Sequence, residues 1–238
     1  MGIAMELFYF NLHAPDLEKS KVFYKEVLGW EIGGGSLGGH VNNTNTPCGV
    51  GPGSTTNTVY FTTDNLKASM AKVEAECGKI LSREFYEGIG PAAFCQDNQG
   101  TRFALQEPGT PEMKKHAADV KKGRKHGDLF FFSLPIKDEA KARIFYAVVL
   151  GWTFGEKGKG GGLGVENLKG PDGGLGCGRE GHHPSLWFRV ENIMDAVERV
   201  KGAGGSAGDI FDAPEGDMCE VVDDQGVKFG IVQPASGY

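Results

Sequence analysis

The chain has 238 residues, 39% of them hydrophobic, which is enough for one large core or two of ordinary size. Its net charge of −6 comes without any basic stripe interleaved with aromatics, so nucleic acid is not expected as a partner. No apolar run is long enough to cross a bilayer. The opening MGIAMELFYF lacks a basic region and a long apolar run, and Glu6 spoils a myristoylation signal; a cytoplasmic protein without membrane contact is expected.

Residues 7–12, LFYFNL, are aromatic-rich, stop at Ala14-Pro15, and read as a strand. Asp16 supplies an N-cap, and Leu17, Phe23 or Tyr24, Val27 and Leu28 recur at helical spacing until Gly29 ends the helix. Glycines gather in Gly33–Gly39, and turn-rich residues continue to Gly53, which predicts short antiparallel strands joined by hairpins. Thr58–Thr63 is a strand by its β-branched and aromatic content. Asp64-Asn65 then caps a helix from Leu66 to Cys77, with Gly78 as its stop and Cys77 in the core. Ala92–Gln96 and Thr101–Gln106 are two strands joined by the turn Asp97-Asn98-Gln99-Gly100.

The same plan then returns. Asp16–Trp30 (DLEKSKVFYKEVLGW) has a relative in Asp138–Trp152 (DEAKARIFYAVVLGW), with both Phe-Tyr and Leu-Gly-Trp repeated 122 residues further on. Leu129–Ile136 is the second first strand and Asp138–Leu150 its helix. Leu186–Val190 and Asn192–Lys201 form the next strand and helix, and Val221 to Val232 holds a closing hairpin around Asp223-Asp224-Gln225-Gly226. Between the repeats, Glu107–Asp128 is rich in Lys, Arg and His with little apolar periodicity. The domains are therefore expected at 1–109 and 127–238 with a linker at 110–126. Five cysteines without a Cys-x-x-Cys pair read as reduced thiols rather than a disulfide or zinc framework.

A strand, an N-capped helix ending in FY…LGW, and short strands closing on DNQGTRFAL or DDQGVKFGI resemble the vicinal-oxygen-chelate superfamily of glyoxalases, bleomycin-resistance proteins and extradiol dioxygenases. The resemblance spans nearly the whole chain except the linker. It implies an α+β fold of two tandem domains, each a pair of βαβββ modules whose mixed sheet curls into an open cup with the helices outside. In metal-using relatives, histidines or glutamine on the first and fifth strands and acids on the fourth and eighth hold the ion. Those positions fall here on Tyr9 and Phe131, Thr58 and Ser185, Ala104 and Gly230, and the stretches Gly49-Val50-Gly51 and Gly176-Cys177-Gly178. None is an imidazole or a carboxylate, so no metal and no cofactor are expected.

Strand side chains alternate, so residues sharing parity with those positions face the cup. That gives Tyr9, Asn11, His13, Thr58, Tyr60, Thr62, Arg102, Gln106, Phe131, Ser133, Ser185, Trp187, Arg189 and Lys228 inside. Phe8, Phe10, Leu12, Val59, Phe61, Phe130, Phe132 and Leu134 pack on the helices. Paired rings, Tyr9 with Phe131 and Tyr60 with Trp187, together with a few hydroxyls, amides and cations suit a planar or amphipathic organic ligand. The ligand-binding set expected is Tyr9, Asn11, His13, Thr58, Tyr60, Arg102, Phe131, Ser133, Ser185, Trp187 and Arg189. Arg102, Arg189 and Lys228 are candidates for an anionic group.

His13 and Tyr9 are the catalytic candidates, His13 because an imidazole titrates near neutrality. His40, His182 and His183 lie in glycine-rich or turn-rich stretches and read as solvated loops, and Gly33–Gly39 lacks the Gly-Lys-Ser/Thr ending of a phosphate loop. The reading is a metal-independent binder of a small molecule, acting as a monomer or homodimer. The alternative is a glyoxalase-like lyase, isomerase or dioxygenase using displaced metal ligands or His and Tyr acid–base chemistry.

Overall fold

A computed structural model describes residues 4–35, 38–158, 161–177 and 181–236, with the side chains of 116 and 118 excepted. Gly160 and Gly178, and residues 36–37 of the first glycine-rich run, lie outside the described residues. The first half runs β1 (Leu7–Ala14), α1 (Leu17–Leu28), β2 (Gly39–Val41), β3 (Cys48–Pro52), β4 (Asn57–Thr62), α2 (Leu66–Ala75), β5 (Lys79–Tyr86), β6 (Gly90–Gln96) and β7 (Arg102–Gln106). Helix α3 (Pro111–Ala118) follows, inside the segment read as a linker. The second half runs β8 (Leu129–Ile136), α4 (Glu139–Leu150), β9 (Phe154–Lys157), β10 (Gly162–Val165), β11 (Asp172–Cys177), β12 (Ser185–Arg189), α5 (Ile193–Gly202), β13 (Ser206–Ala213), β14 (Gly216–Val222) and β15 (Lys228–Pro234). The fold is α+β, with a seven-stranded and an eight-stranded mixed sheet, one from each half.

Local chemistry sets the helix ends. Asp16 accepts hydrogen bonds from the N–H groups of Glu18 and Lys19, Asp138 from that of Lys141, and Gly29 and Gly151 leave their helices at φ 67° and 69°. Helix α2 ends at Ala75, two residues short of expectation. The chain turns through Cys77 itself, in the left-handed region at φ 63°. That conformation carries Cys77 around the helix exit, and the thiol is exposed rather than in the core.

Strands β5 and β13 have no counterpart among the expected elements. Both lie on sheet edges with nearly every side chain exposed, so neither carries the alternation that marks a half-buried strand.

Compactness divides the chain into two units, each drawn from both halves. One takes the chain up to Tyr9, Thr58–Lys121 and Ser133–Pro184; the other takes Phe10–Asn57, Lys122–Phe132 and everything from Ser185 onward. The first contains β4-β7-β6-β5, β11-β10-β9, the start of β1 and the end of β8; the second contains β2-β3, β13-β14-β15-β12, the rest of β1 and the start of β8.

Each unit has an aromatic core. In the first, Phe61, Phe103, Phe145, Tyr146 and Trp152 are buried, with Phe61 edge-on to Trp152 at 5.1 Å and Tyr146 stacked on it at 5.5 Å. The second repeats this with Phe10, Phe23, Tyr24, Trp30, Phe188 and Phe229, Trp30 lying edge-on to Phe188 at 5.2 Å.

The closing turn of each half is fastened to the first helix of the other. In the first unit the Tyr146 hydroxyl donates to Asp97 Oδ2 at 2.9 Å, while Asp97 Oδ1 accepts from the N–H groups of Gln99 and Thr101, both at 2.8 Å. Gln99 reaches the start of α4, its Oε1 accepting from the N–H of Asp138 at 2.6 Å and its Nε2 donating to the Asp138 carbonyl at 3.0 Å. In the second unit the Tyr24 hydroxyl donates to Asp223 Oδ2 at 2.9 Å. Gln225 then exchanges hydrogen bonds with the Asp16 backbone at 2.7 and 3.0 Å. Burial lifts both aspartates above the usual carboxylate range against the pull of these donors, and it lifts both phenols well above theirs.

Removing the phenol hydroxyl leaves a buried carboxylate oxygen without its donor. Tyr24→Phe and Tyr146→Phe are each expected to lose about 1–3 kcal/mol in urea unfolding, whereas Val22→Ala on an exposed position stays within about 0.5 kcal/mol. Residues 1–109 produced alone hold Tyr24 and Asp97 but neither of their partners, so that fragment is expected to be unfolded or to self-associate. A folded monomer in sedimentation analysis would contradict the exchanged arrangement.

Candidate functional site

Alternation along β1 holds: Phe8, Phe10 and Leu12 are buried, and Tyr9, Asn11 and His13 are half-buried on the opposite face. On β4, Val59 and Phe61 are core, with Thr58 and Thr62 half-buried and Tyr60 nearly covered. Arg102 is exposed at the start of β7, while Gln106 is buried and donates to the carbonyls of Pro91 and Glu107, a structural use of its amide.

In the first unit a row of rings crosses the face where the acidic position has become Ala104. Tyr60 on β4 and Phe94 on β6 are both in register with Ala104 on β7. Tyr60 stands edge-on to Tyr9 and to Phe94, with ring centres 5.8 Å apart and planes at 75° in both pairs. A methyl group at position 104 is small enough for the rings to close over it. The Tyr60 hydroxyl is hydrogen-bonded to Tyr86 at the end of β5. Burial first, then the neighbouring phenols of Tyr86 and Tyr9, hold the Tyr60 hydroxyl far above its ordinary range, so at neutral pH it is a hydrogen-bond donor and not a base. Ser133, in the same unit, is buried.

In the second unit Asn11 and His13 lie beside β3, in register with Gly49 and Gly51. A Cβ at position 51 would stand 2.8 Å from Asn11 Nδ2 and 3.2 Å from His13 Nδ1, so this glycine provides the seat for both side chains. Burial lowers the His13 pKa, opposed by a long contact from Nδ1 to the Pro52 carbonyl at 3.4 Å; the imidazole is neutral at pH 7. Phe131 and Ser185 are half-buried and Lys228 is exposed.

Trp187 is 2% exposed, in register with Gly230 on β15, and any Cβ at position 230 would overlap its indole. Phe211 meets the Trp187 ring edge-on at 6.3 Å. Arg189 turns its guanidinium over the Phe130 ring, 5.7 Å from its centre. Phe130, expected in the core beside Phe132 and Leu134, is therefore half-buried and serves as a platform for the cation.

Among the histidines read as loops, His40 is on β2 and exposed. His182 is exposed, with its carbonyl accepting the Arg102 N–H at 2.7 Å. Burial pushes the thiols of Cys48 and Cys95 up to about 12, which makes them inert at neutral pH.

The donor set does not fit a divalent ion of the kind the resemblance implies. Tyr9, Thr58 and Ala104 in one unit and Phe131, Ser185 and Gly230 in the other contain no imidazole or carboxylate, and an indole fills the space beside Gly230. Among the described residues, no three His, Cys, Asp or Glu side chains come together as a metal site. Tyr86, Phe94 and Phe211 were absent from the expected set. Phe94 is accessible to the parity argument once the β6–β7 hairpin register is carried back from Ala104, but Tyr86 and Phe211 sit on edge strands that have no sequence signal of their own.

The comparisons agree with the architecture. A family model described as bleomycin resistance protein-like N-terminal matches residues 7–34. The anthracycline biosynthesis protein DnrV of Streptomyces peucetius is 26% identical over 269 aligned residues, covering 97% of this chain and 94% of its own. A catechol 2,3-dioxygenase structure superposes with TM-score 0.64 at 13% identity, covering 100% of this chain and 91% of that one. The Mn(II)-bound glyoxalase from Novosphingobium aromaticivorans superposes with TM-score 0.66 at 17% identity, covering 98% of this chain and 83% of that one. The chain thus shares the fold of these dioxygenase and glyoxalase structures, and its first strand and helix are similar to the bleomycin resistance protein-like model.

Proposed function

We propose that the protein binds a small, flat organic molecule without a metal, in the manner of bleomycin-resistance-type proteins, and that it holds the ligand on the Tyr9–Tyr60–Phe94 face. The observation that carries this reading is the row of edge-on rings over Ala104, ending in the hydroxyls of Tyr60 and Tyr86. Rings set at 75° offer edges and faces for a planar guest, and two phenols that stay protonated at neutral pH give it directional hydrogen bonds. A relative named for anthracycline biosynthesis supports an organic small molecule as the ligand class. The protein is taken as cytoplasmic, a monomer or homodimer, with neither nucleic acid nor membrane as partner.

The second reading is an enzyme in which His13 moves a proton on a bound molecule. Its neutral, half-buried imidazole seated over Gly51 favours that reading. The Tyr60 phenol, held in its protonated form, is no candidate for the base.

Chelator-treated protein titrated with a panel of fused-ring aromatics, followed by tyrosine and tryptophan fluorescence, is expected to show saturable binding. Tyr60→Ala should weaken it at least about 10-fold, or 1.4 kcal/mol, and Tyr86→Phe by a smaller factor. Affinity that is unchanged in both variants removes the aromatic face as the site. Elemental analysis of protein purified without chelator should find no stoichiometric zinc, nickel, iron or manganese. Conversion of a bound compound that disappears in His13→Ala, followed by mass spectrometry, would establish the enzymatic reading instead.

A further inference from the structure

We propose a second binding site, in the second unit, for a small organic anion with a carboxylate or phosphate group. It is a cavity of about 610 Å³ lined by Arg124, Lys125, His126 and Arg189, with Val190 and Pro234 as apolar lining and Glu191 as an acidic lining group. A chain with net charge −6 thus gathers three permanent cations and an imidazole around one hollow. The volume lies in the range that takes a drug-sized molecule and is far larger than a bare anion needs.

The backbone holds these cations in place. Asp128 is buried, and its Oδ2 accepts the N–H groups of both Arg124 and Lys125 at 2.9 Å while its Oδ1 accepts that of Asn45 at 2.9 Å. Its charge is thereby satisfied by backbone donors behind the loop. Gly127 donates to the Arg189 carbonyl at 2.8 Å, and the Arg189 N–H donates to the Asp128 carbonyl at 2.9 Å, which straps the loop to the end of β12. Trp30 Nε1 donates to the Gly127 carbonyl at 2.8 Å. His126 Nε2, facing the Val27 carbonyl at 3.1 Å, is its donor.

The Phe130 ring supports the Arg189 guanidinium from one side. Burial first, then the nearby Arg124 charge, disfavour the protonated Arg189, opposed by the Asp128 carboxylate, so like charges are kept together by Asp128 and the surrounding anchors and not by each other. An anion that reaches both guanidiniums relieves that repulsion and accepts fixed donors.

The test uses aliphatic probes, which do not compete for the aromatic face: n-butyl phosphate, butyrate and n-butanol, titrated into the full chain and followed by amide chemical shifts in NMR. One or both anions are expected to give saturable shifts at 124–126 and 189–191, weakened at least 10-fold by Arg124→Gln and by Arg189→Gln. Lys201→Gln, an exposed cation on α5, should leave the affinity unchanged. The two anions separate phosphate from carboxylate recognition. No saturable shift with either anion, equal binding of n-butanol, or binding unaffected by both arginine variants would overturn the site. Arg124 is on the surface, so its variant tests charge without disturbing the core.

Discussion

The structure depends on one buried interaction made twice: a helix tyrosine donating to the aspartate of a closing turn that comes from the other half of the sequence. Tyr24 reaches Asp223 in one unit and Tyr146 reaches Asp97 in the other, both at 2.9 Å. The same aspartate closes its own turn by accepting two backbone N–H groups, and the glutamine two residues on caps the neck of the partner helix. Turn, helix start and aromatic core are thus one hydrogen-bonded assembly. A carboxylate lifted by burial is retained because every strong donor near it points at it.

That assembly explains why the sequence motifs recur as they do. The Phe-Tyr pair of each helix supplies one ring to the core and one hydroxyl to the lock. The Trp of Leu-Gly-Trp packs on that tyrosine, stacked for Tyr146 and Trp152 at 5.5 Å and tilted by 31° for Tyr24 and Trp30 at 5.1 Å. The Asp-x-Gln-Gly turn reads from sequence as a hairpin loop and nothing more. Its aspartate and glutamine are set by what they hold in the other half, while the glycine lets the turn pass through a left-handed backbone at φ 100° and 94°.

Much of the fold is legible in the chain because its signals are local. Asp16 and Gly29, or Asp138 and Gly151, mark helix ends through contacts within a few residues. Strands β5 and β13 were not legible, since a strand with almost no buried side chain has no period to show. The exchange between halves was hidden for a different reason. Asp97 and Asp223 are the same chemical group in the same motif, so nothing in Tyr24 states which of them it meets. At the candidate site, alternation leaves Tyr9 half-buried opposite the core residues of β1, whereas Tyr60 and Trp187, expected to line a cup, are 8% and 2% exposed. It misplaced Phe130, because a long arginine side chain can cover a ring that strand parity alone sends to the core.

The two halves share a plan, but their inner faces have diverged through the residue at one position. At 104 a methyl group remains, and Tyr60 and Phe94 stand edge-on around it with a phenol network at one end. At 230 even that methyl is gone, and an indole lies in the space, 2% exposed. Removing a side chain from the floor of a sheet admits a larger neighbour, and a fully buried indole leaves little surface for a guest. The half-buried Tyr9 and Phe94 and the hydrogen-bonded hydroxyls of Tyr60 and Tyr86 set apolar and polar groups side by side on the first-half face. The difference between alanine and glycine thus separates a face with half-buried rings from one taken up by an indole.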